Sequence, residues 1–166
     1  MFKLKICDLY DAVYLSKTWA THTVSLLDPD IEKHNFFIIP VAGENRKLRR
    51  YYFHDITPED SWNHYFRTEF ELATPKQIQE ILAFTASLVP TDNLLVHCHA
   101  GISRSTAVAC GILCQHGLTP RDSIKHVLSI RKQAFPNRYI LKLFDELLGL
   151  EGELANVAFE EFAQSV

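Results

Sequence analysis

The chain alternates short apolar runs with longer amphipathic segments, a pattern that favours an α/β fold. The apolar runs predict strands at 4–7, 21–27, 36–39, 49–54 and 93–96. Residues 28–30 (Asp-Pro-Asp) and Pro40 are turn formers that end the second and third runs. The turn at 43–45 then predicts a hairpin. The basic cluster next to it is interpreted as the solvated tip of this hairpin, with a docking patch for phosphoproteins as the alternative. The basic residues are Arg46, Lys47, Arg49 and Arg50.

Helices are predicted between and after these runs, over 8–19, 75–88, 107–116, 119–130, 139–148 and 153–166. Thr74 before Pro75 is a strong signal for a helix start, and Gly117 is a typical stop. Because a helix directly precedes the strand at 93–96, a parallel crossover is expected there. We therefore expect residues 1–166 to form one α/β domain, with a central, mostly parallel sheet and helices on both faces.

The segment 97–106 joins the apolar strand at 93–96 to the apolar helix that follows. A turn from a strand into a helix directs several backbone N–H groups at one point, next to the positive end of the helix dipole. Gly101 allows backbone conformations that a side chain would forbid, as a tight anion-binding loop requires. The segment therefore predicts a binding site for an anion.

Cys98 opens this loop, Arg104 closes it and Ser105 follows. Inward N–H groups, the helix dipole and Arg104 all stabilise negative charge on the sulfur, which favours a nucleophilic thiolate. The planar guanidinium binds two oxygens of a tetrahedral dianion, which a lysine could not do. The thiolate can then attack phosphorus to form a phosphocysteine. Ser105 can donate a hydrogen bond to the sulfur when that intermediate is hydrolysed.

These residues match a known signature. His97-Cys98, Gly101, Arg104 and Ser105 fit the HC-x-x-G-x-x-R-S/T pattern of cysteine-dependent protein tyrosine phosphatases, and VHCHAGISRS resembles their compact dual-specificity branch and its small bacterial relatives. The resemblance implies an α/β fold with the phosphate loop between strand and helix, two-step hydrolysis of phosphate monoesters, and no metal or cofactor. It assigns phosphate binding to Arg104 and the loop residues His99, Ala100, Gly101, Ile102 and Ser103.

A phenolate leaving group also needs a proton donor. The resembled family supplies an aspartate from a loop after a strand, and Asp55 occupies such a position, 43 residues (98 − 55) before Cys98. Compact relatives have a shorter interval, so residues 62–67 are expected to form an insertion that walls the cleft. Asp60, Glu59 and Glu69 are rivals for this role, and a turn or helix-capping function is the alternative for Asp55.

Other uses of these residues are less favoured. His97, Cys98 and His99 are poor candidates for metal ligands, because neighbours on an extended segment alternate sides and no companion pair has zinc spacing. Cys110 and Cys114 share a helix face and are expected in the core, with a resolving disulfide to Cys98 as the less favoured alternative. Two other functions stay open: a phosphate-binding module without turnover, and a sulfurtransferase-like cysteine enzyme. The combination of Cys98 with the paired arginine and serine favours a phosphatase over both.

Composition limits the class of protein, its partners and its cellular compartment. The chain has 166 residues, 47% of them hydrophobic and 22% charged, with a formal net charge of −3. These values fit one globular domain and argue against nucleic acid as a partner. No apolar run has the length that spans a membrane, and no signal-peptide core follows Met1. Four cysteines without framework spacing favour a reducing cytoplasm. A phosphorylated protein is the expected substrate. Phosphotyrosine is favoured, and phosphoserine and phosphothreonine stay open because the sequence does not give the depth of the pocket. Inositol phosphates are less favoured, because residues 99–103 lack a lysine to meet the extra phosphates.

Overall fold

The computed structural model describes residues 1–33, 36–61 and 70–163. Its sheet has four strands, which are β1 (Lys3–Cys7), β2 (His22–Leu27), β3 (Lys47–Tyr52) and β4 (Asn93–His97). The strand order is β1-β4-β2-β3, and every neighbouring pair is parallel. In the register of the sheet, Val96 lies between Ile6 and Val24. The predicted α/β fold with a parallel sheet is confirmed.

The helices follow the predicted segments closely. They are α1 (Leu9–Thr18), α2 (Pro58–Ser61), α3 (Pro75–Thr85), α4 (Arg104–Gln115), α5 (Pro120–Ile130), α6 (Arg138–Leu148) and α7 (Glu153–Ala163). The short α2 was not predicted. Thr74 caps α3 through a reciprocal bond pair with Gln77, as its start signal predicts. None of the helices in the described ranges has the length and apolar character that a bilayer crossing needs.

Both faces of the sheet are covered by helices, because strand residues alternate between two cores. Leu94 and Val96 pack in a large core with residues of α4, α5, α6 and α7. Leu95, between them, packs on the other face with Ala12 of α1 and with Ala20. The central strand β2 is buried along its whole length, whereas the edge strands β1 and β3 are partly exposed. The predicted position of the first strand at a sheet edge is confirmed.

The strand predicted at 36–39 is wrong. Residues 36–39 contain no strand, and Phe36 and Ile38 are 92% and 74% exposed. The hairpin is also wrong, because β3 pairs in parallel with β2 and residues 36–46 contain no strand that could be its hairpin partner. The basic cluster is accordingly not a hairpin tip: Arg46 donates to the carbonyl oxygens of Thr18 and Ala20, and ties this segment to the end of α1.

The parallel arrangement places the carboxyl ends of all four strands at one edge of the sheet, where ligands bind in open α/β folds. Asp8, Asp28, Phe53 and Cys98 are the first residues after β1, β2, β3 and β4. The loop from Cys98 to Ser103 therefore lies at the same edge as Asp28 and as Asp55, which comes two residues after Phe53.

Candidate active site

The loop between β4 and α4 surrounds the sulfur of Cys98 with hydrogen-bonding groups. Cys98 is buried, with 2% of its surface exposed. The backbone N–H of Gly101 donates to Sγ over 3.2 Å, and the Ser105 hydroxyl oxygen lies 3.2 Å from Sγ. Hydrogen bonds to a negatively charged sulfur are stronger than those to a neutral thiol. The structure thus brings Cys98, Gly101 and Ser105 together around one atom.

Gly101 and Arg131 hold the loop in this shape. Gly101 has a φ of 69°, and a Cβ at this position would lie 2.5 Å from the carbonyl carbon of Cys7. Arg131, which follows α5, donates from Nε to the carbonyl oxygen of Gly101 and from Nη2 to that of Ala100, at 2.9 and 3.0 Å. Because the peptides are trans and planar, the N–H groups of the same two peptide units point the opposite way, into the loop.

Ser103 leaves the N-terminus of α4 open. It occupies the N-cap position but makes no capping bond with its side chain. Its hydroxyl instead donates to Oδ1 of Asp55 over 2.7 Å. The first N–H groups of this twelve-residue helix are therefore not satisfied by a cap, and they add to the positive end of the helix dipole. An anion in the loop would meet these groups directly.

Arg104 is held at one end of its guanidinium. The residue is 3% exposed, and Nη1 donates to Oδ1 of Asp28 at 2.8 Å and to the carbonyl oxygen of Phe53 at 2.7 Å. Nε is also buried but has no hydrogen-bond partner in the part of the chain that the structure describes. A buried donor without an acceptor is costly, and an oxygen of a bound anion would satisfy it. The residues present therefore fit a phosphate-sized anion.

Asp55 is anchored across the loop. Its Oδ1 accepts hydrogen bonds from the Ser103 hydroxyl at 2.7 Å and from Nδ2 of Asn137 at 2.9 Å. Asn137 in turn caps α6, since its Oδ1 accepts from the backbone N–H groups of Tyr139 and Ile140. The carboxyl is exposed, so a substrate oxygen can reach it. The structure thus connects Asp55 to the loop from two sides.

The rival carboxylates lie in different surroundings. Hydrogen bonds from the backbone N–H and the hydroxyl of Thr57 lower the pKa of Asp60, and the pKa of Glu59 is lowered by its own backbone N–H and by the Thr57 hydroxyl. Asp55 accepts hydrogen bonds as well, so what separates it from Asp60 is that its partner Ser103 belongs to the loop, whereas the partner of Asp60 is Thr57. Glu69 and the predicted insertion at 62–67 lie outside the described residues.

The two histidines of the loop face different surroundings. His97 is fully buried, with Nε2 2.8 Å from the Ser25 hydroxyl and Nδ1 3.2 Å from the Cys98 carbonyl oxygen. His99 is exposed and packs edge-on against Phe37, with 5.4 Å between the ring centroids. Within the described ranges, no group of three or more His, Cys, Asp or Glu side chains could hold a metal ion. Through its hydrogen bond to Ser25, His97 links the loop to β2, and the ring of His99 links it to Phe37.

We expect His97 to make the fold acid-sensitive. Burial lowers its pKa from the ordinary 6.5 to about 4, because the charged ring would lose its hydration. Between these values the unfolded chain binds a proton that the folded chain does not, so stability falls as the pH is lowered through this window. From pH 7.5 to 5 the free energy of unfolding should decrease by about 2 kcal/mol on this account.

Urea unfolding of the wild type and of His97→Asn at both pH values measures the effect. The difference between the two proteins isolates the histidine from all other titrating groups. A variant that loses as much stability as the wild type would contradict this account.

The other three cysteines are buried or half-buried thiols. Burial raises the pKa of Cys7 to about 12 and also raises the pKa of Cys110 and Cys114 above the ordinary value. The Cys114 thiol donates a hydrogen bond to the Ser123 hydroxyl oxygen over 3.4 Å. All four cysteines are free. The predicted core packing of Cys110 and Cys114 is confirmed.

Two residues that shape the site were not predicted from the sequence. Asp28 belongs to a turn signal, yet its carboxylate binds Arg104. Its place directly after a strand was the available signal, because parallel strands bring their carboxyl ends to one edge. Arg131 had no such signal, since it reaches the loop only through the packing of α5 against α4.

No protein-family model and no curated protein matches this chain. Solved structures are similar in fold. Human DUSP28 matches with a TM-score of 0.64 and 20% identity, over 89% of this chain and 94% of that chain. A mouse putative dual specificity phosphatase complexed with zinc tungstate matches with a TM-score of 0.58 and 19% identity, over 88% and 84%. The chain has the dual-specificity phosphatase fold.

This result confirms the fold that the sequence signature implied, while function has to be argued from the site. A third match illustrates the distinction. It is the human tyrosine phosphatase-like serine/threonine/tyrosine-interacting protein, with a TM-score of 0.55 and 19% identity, over 89% of this chain and 92% of that chain. Proteins with this fold are thus described both as phosphatases and as an interacting protein. The side chains of the loop must distinguish these functions.

Proposed function

We propose that this protein hydrolyses phosphate monoesters on proteins, with phosphotyrosine as the main substrate, through a phosphocysteine on Cys98. The observation that carries the proposal is the state of Arg104, which is buried, held at Nη1 and unpartnered at Nε among the described residues. A phosphoryl oxygen would satisfy Nε, and the open N-terminus of α4 would bind further oxygens. The phosphorus would then face the sulfur that opens the same loop.

In the first step the Cys98 thiolate attacks phosphorus, and the bond from phosphorus to the phenolic oxygen breaks. Arg104 and the N–H groups of residues 99–103 bind the three non-bridging oxygens and stabilise their charge. Asp55, protonated at the start, donates its proton to the departing oxygen. The products of this step are a phenol, a phosphocysteine and the Asp55 carboxylate.

In the second step a water molecule attacks phosphorus, and the bond from phosphorus to sulfur breaks. The Asp55 carboxylate accepts a proton from the water, so that the aspartate returns to its initial form. The Ser105 hydroxyl, 3.2 Å from the sulfur, donates a hydrogen bond to the thiolate as it leaves. Inorganic phosphate is released, and the thiolate is ready for another turnover.

The assignment of Asp55 predicts a specific pH–rate profile. With a phenyl phosphate, whose leaving group is poor, Asp55→Asn should lower kcat/KM by about a hundredfold. The variant should also lose the decline in rate at high pH, because this decline reports ionisation of the required acid. With an aryl phosphate whose ring withdraws electrons strongly, the loss should be much smaller, since that leaving group departs without a proton.

Asp60→Asn is the matched control, because it makes the same change five residues away in the same pocket. It should keep the decline at high pH. If Asp60→Asn loses this decline and Asp55→Asn keeps it, the assignment of the acid is wrong. If both variants keep it, the proton donor lies elsewhere in the chain.

Asp28 predicts a second, smaller effect. Asp28→Ala removes one of the two acceptors that orient Nη1 of Arg104, and kcat/KM on an aryl phosphate should fall about tenfold. Asp28→Asn retains an acceptor oxygen at the same place and should keep most of the activity. Steady-state kinetics on both variants test this prediction. Equal losses in both would show that the charge of Asp28 matters and that its role as a hydrogen-bond acceptor does not.

A further inference from the structure

A large apolar groove adjoins the phosphate loop. Its volume is about 920 Å³, and it lies between α1 and the segment at 36–38. Aromatic and aliphatic side chains form its walls, namely Tyr10, Val13, Tyr14, Phe36, Phe37 and Ile38. This segment is the one whose apolar character wrongly predicted a strand. Its side chains line a surface groove and take no part in the sheet.

Both walls of the groove contact the loop at His99. The backbone N–H of Leu9, at the start of α1, donates to the His99 carbonyl oxygen over 3.0 Å. On the other wall, Phe37 packs edge-on against the His99 ring. His99 directly follows Cys98, so the groove begins one residue from the sulfur. A substrate held in the loop would pass its neighbouring residues along these walls.

The walls are unusually exposed for apolar side chains. Tyr10 and Tyr14, one turn apart on α1, are 88% and 68% exposed. Phe36 and Ile38, on the other wall, are 92% and 74% exposed. Contiguous apolar patches of this kind mark binding surfaces on soluble proteins. Two carboxylates, of Asp8 and Asp11, line the same groove. The surface therefore combines apolar contact area with negative charge.

We propose that this groove binds a large apolar side chain of the substrate protein next to the phosphotyrosine, and that Asp11 favours a basic residue beside it. This inference rests on the proposed function and names its substrate class. An extended peptide advances about 3.3 Å per residue, so residues within a few positions of the phosphotyrosine reach the groove. Peptide recognition commonly combines an anchored phosphate with a pocket for a nearby side chain.

A protein segment fits this surface better than a membrane does. Anionic headgroups would be repelled by the carboxylates of Asp8 and Asp11, and the chain has a formal net charge of −3. Interfacial membrane binding usually pairs apolar side chains with lysine and arginine, and neither residue type lines this groove in the part of the chain that the structure describes. A peptide with an apolar and a basic residue complements both features of the groove.

The test compares phosphotyrosine peptides that carry leucine, phenylalanine or serine at each position near the phosphotyrosine. The wild type should prefer a large apolar residue at one or more positions by about tenfold in kcat/KM. Tyr14→Ala should remove this preference, and Ile38→Ala should weaken it. Val89→Ala is the matched control, because it truncates an exposed aliphatic side chain just before β4, at the opposite edge of the sheet. All three variants should hydrolyse a small aryl phosphate like the wild type.

Asp11→Asn tests the charge, and should lower the preference for a lysine-containing peptide by about threefold. A wild type that hydrolyses the aryl phosphate but shows no residue preference would overturn the groove proposal and leave the phosphatase proposal standing. No turnover of the aryl phosphate would overturn the phosphatase proposal itself. Faster turnover of a phosphoinositide in anionic vesicles than of any peptide would overturn the choice of a peptide. A dimer that Tyr14→Ala dissociates in analytical ultracentrifugation would assign the groove to a second copy.

Discussion

Cys98→Ser is expected to lower kcat on an aryl phosphate by about 10⁴-fold or more. A serine hydroxyl in this loop stays protonated at neutral pH, so the N–H groups that would stabilise a thiolate have no anion to stabilise. The variant should nevertheless bind phosphate, because Arg104 and the loop N–H groups are unchanged. Rapid mixing of the wild type with an aryl phosphate should release a burst of phenol, and the trapped protein should carry one phosphoryl group on Cys98.

Cys114→Ser is the matched control for this substitution. Cys114 is half-buried in α4, hydrogen-bonded to Ser123, and its thiol takes no part in the proposed chemistry. It should keep both the burst and the turnover. A Cys98→Ser variant that still turns over would exclude the phosphocysteine. A wild type that binds phosphotyrosine without burst or turnover would favour the phosphate-binding module, and transfer of sulfur from thiosulfate would favour the sulfurtransferase.

Arg104→Lys should lower kcat/KM by about 10³-fold, although the positive charge is retained. The guanidinium binds Asp28 and Phe53 with Nη1, and in the proposed mechanism Nε binds the substrate at the same time. A lysine ammonium is a single point and cannot occupy both places. The Asp28 carboxylate would accept hydrogen bonds from the lysine ammonium and would hold this positive charge away from the phosphoryl group.

Arg138→Lys serves as the control, because it makes the same change at an exposed residue near the site. Arg138 lines the pocket that contains Asp55 and stacks on Phe159, 4.9 Å from the ring centroid. It should change kcat/KM by no more than about threefold. Thermal unfolding of both variants separates misfolding from a local effect. A loss below about tenfold for a folded Arg104→Lys protein would contradict the proposed binding of the phosphoryl group through Nε.

Much of the fold could be predicted because its signals are local. The strands at 4–7, 21–27 and 93–96 are buried on one or both faces, so their apolar runs report burial correctly. The helix start at Thr74 was predicted from capping chemistry, which depends on residues three positions apart. The strand prediction at 36–39 was wrong because an apolar run indicates contact with an apolar surface and does not identify that surface. Here those side chains line a groove.

The sequence by itself determined the shape of the loop at 98–105. Residues 98–105 are contiguous, a strand and a helix flank them, and Gly101 permits the turn, so the meeting of Cys98, Ser105 and the helix N-terminus follows from local geometry. The tertiary structure alone decided the rest of the site. Arg104 meets Asp28 across 76 positions, and Asp55 meets Ser103 and Asn137 across 48 and 82. These contacts exist because parallel strands bring distant segments to one edge of the sheet, an arrangement that no local pattern encodes.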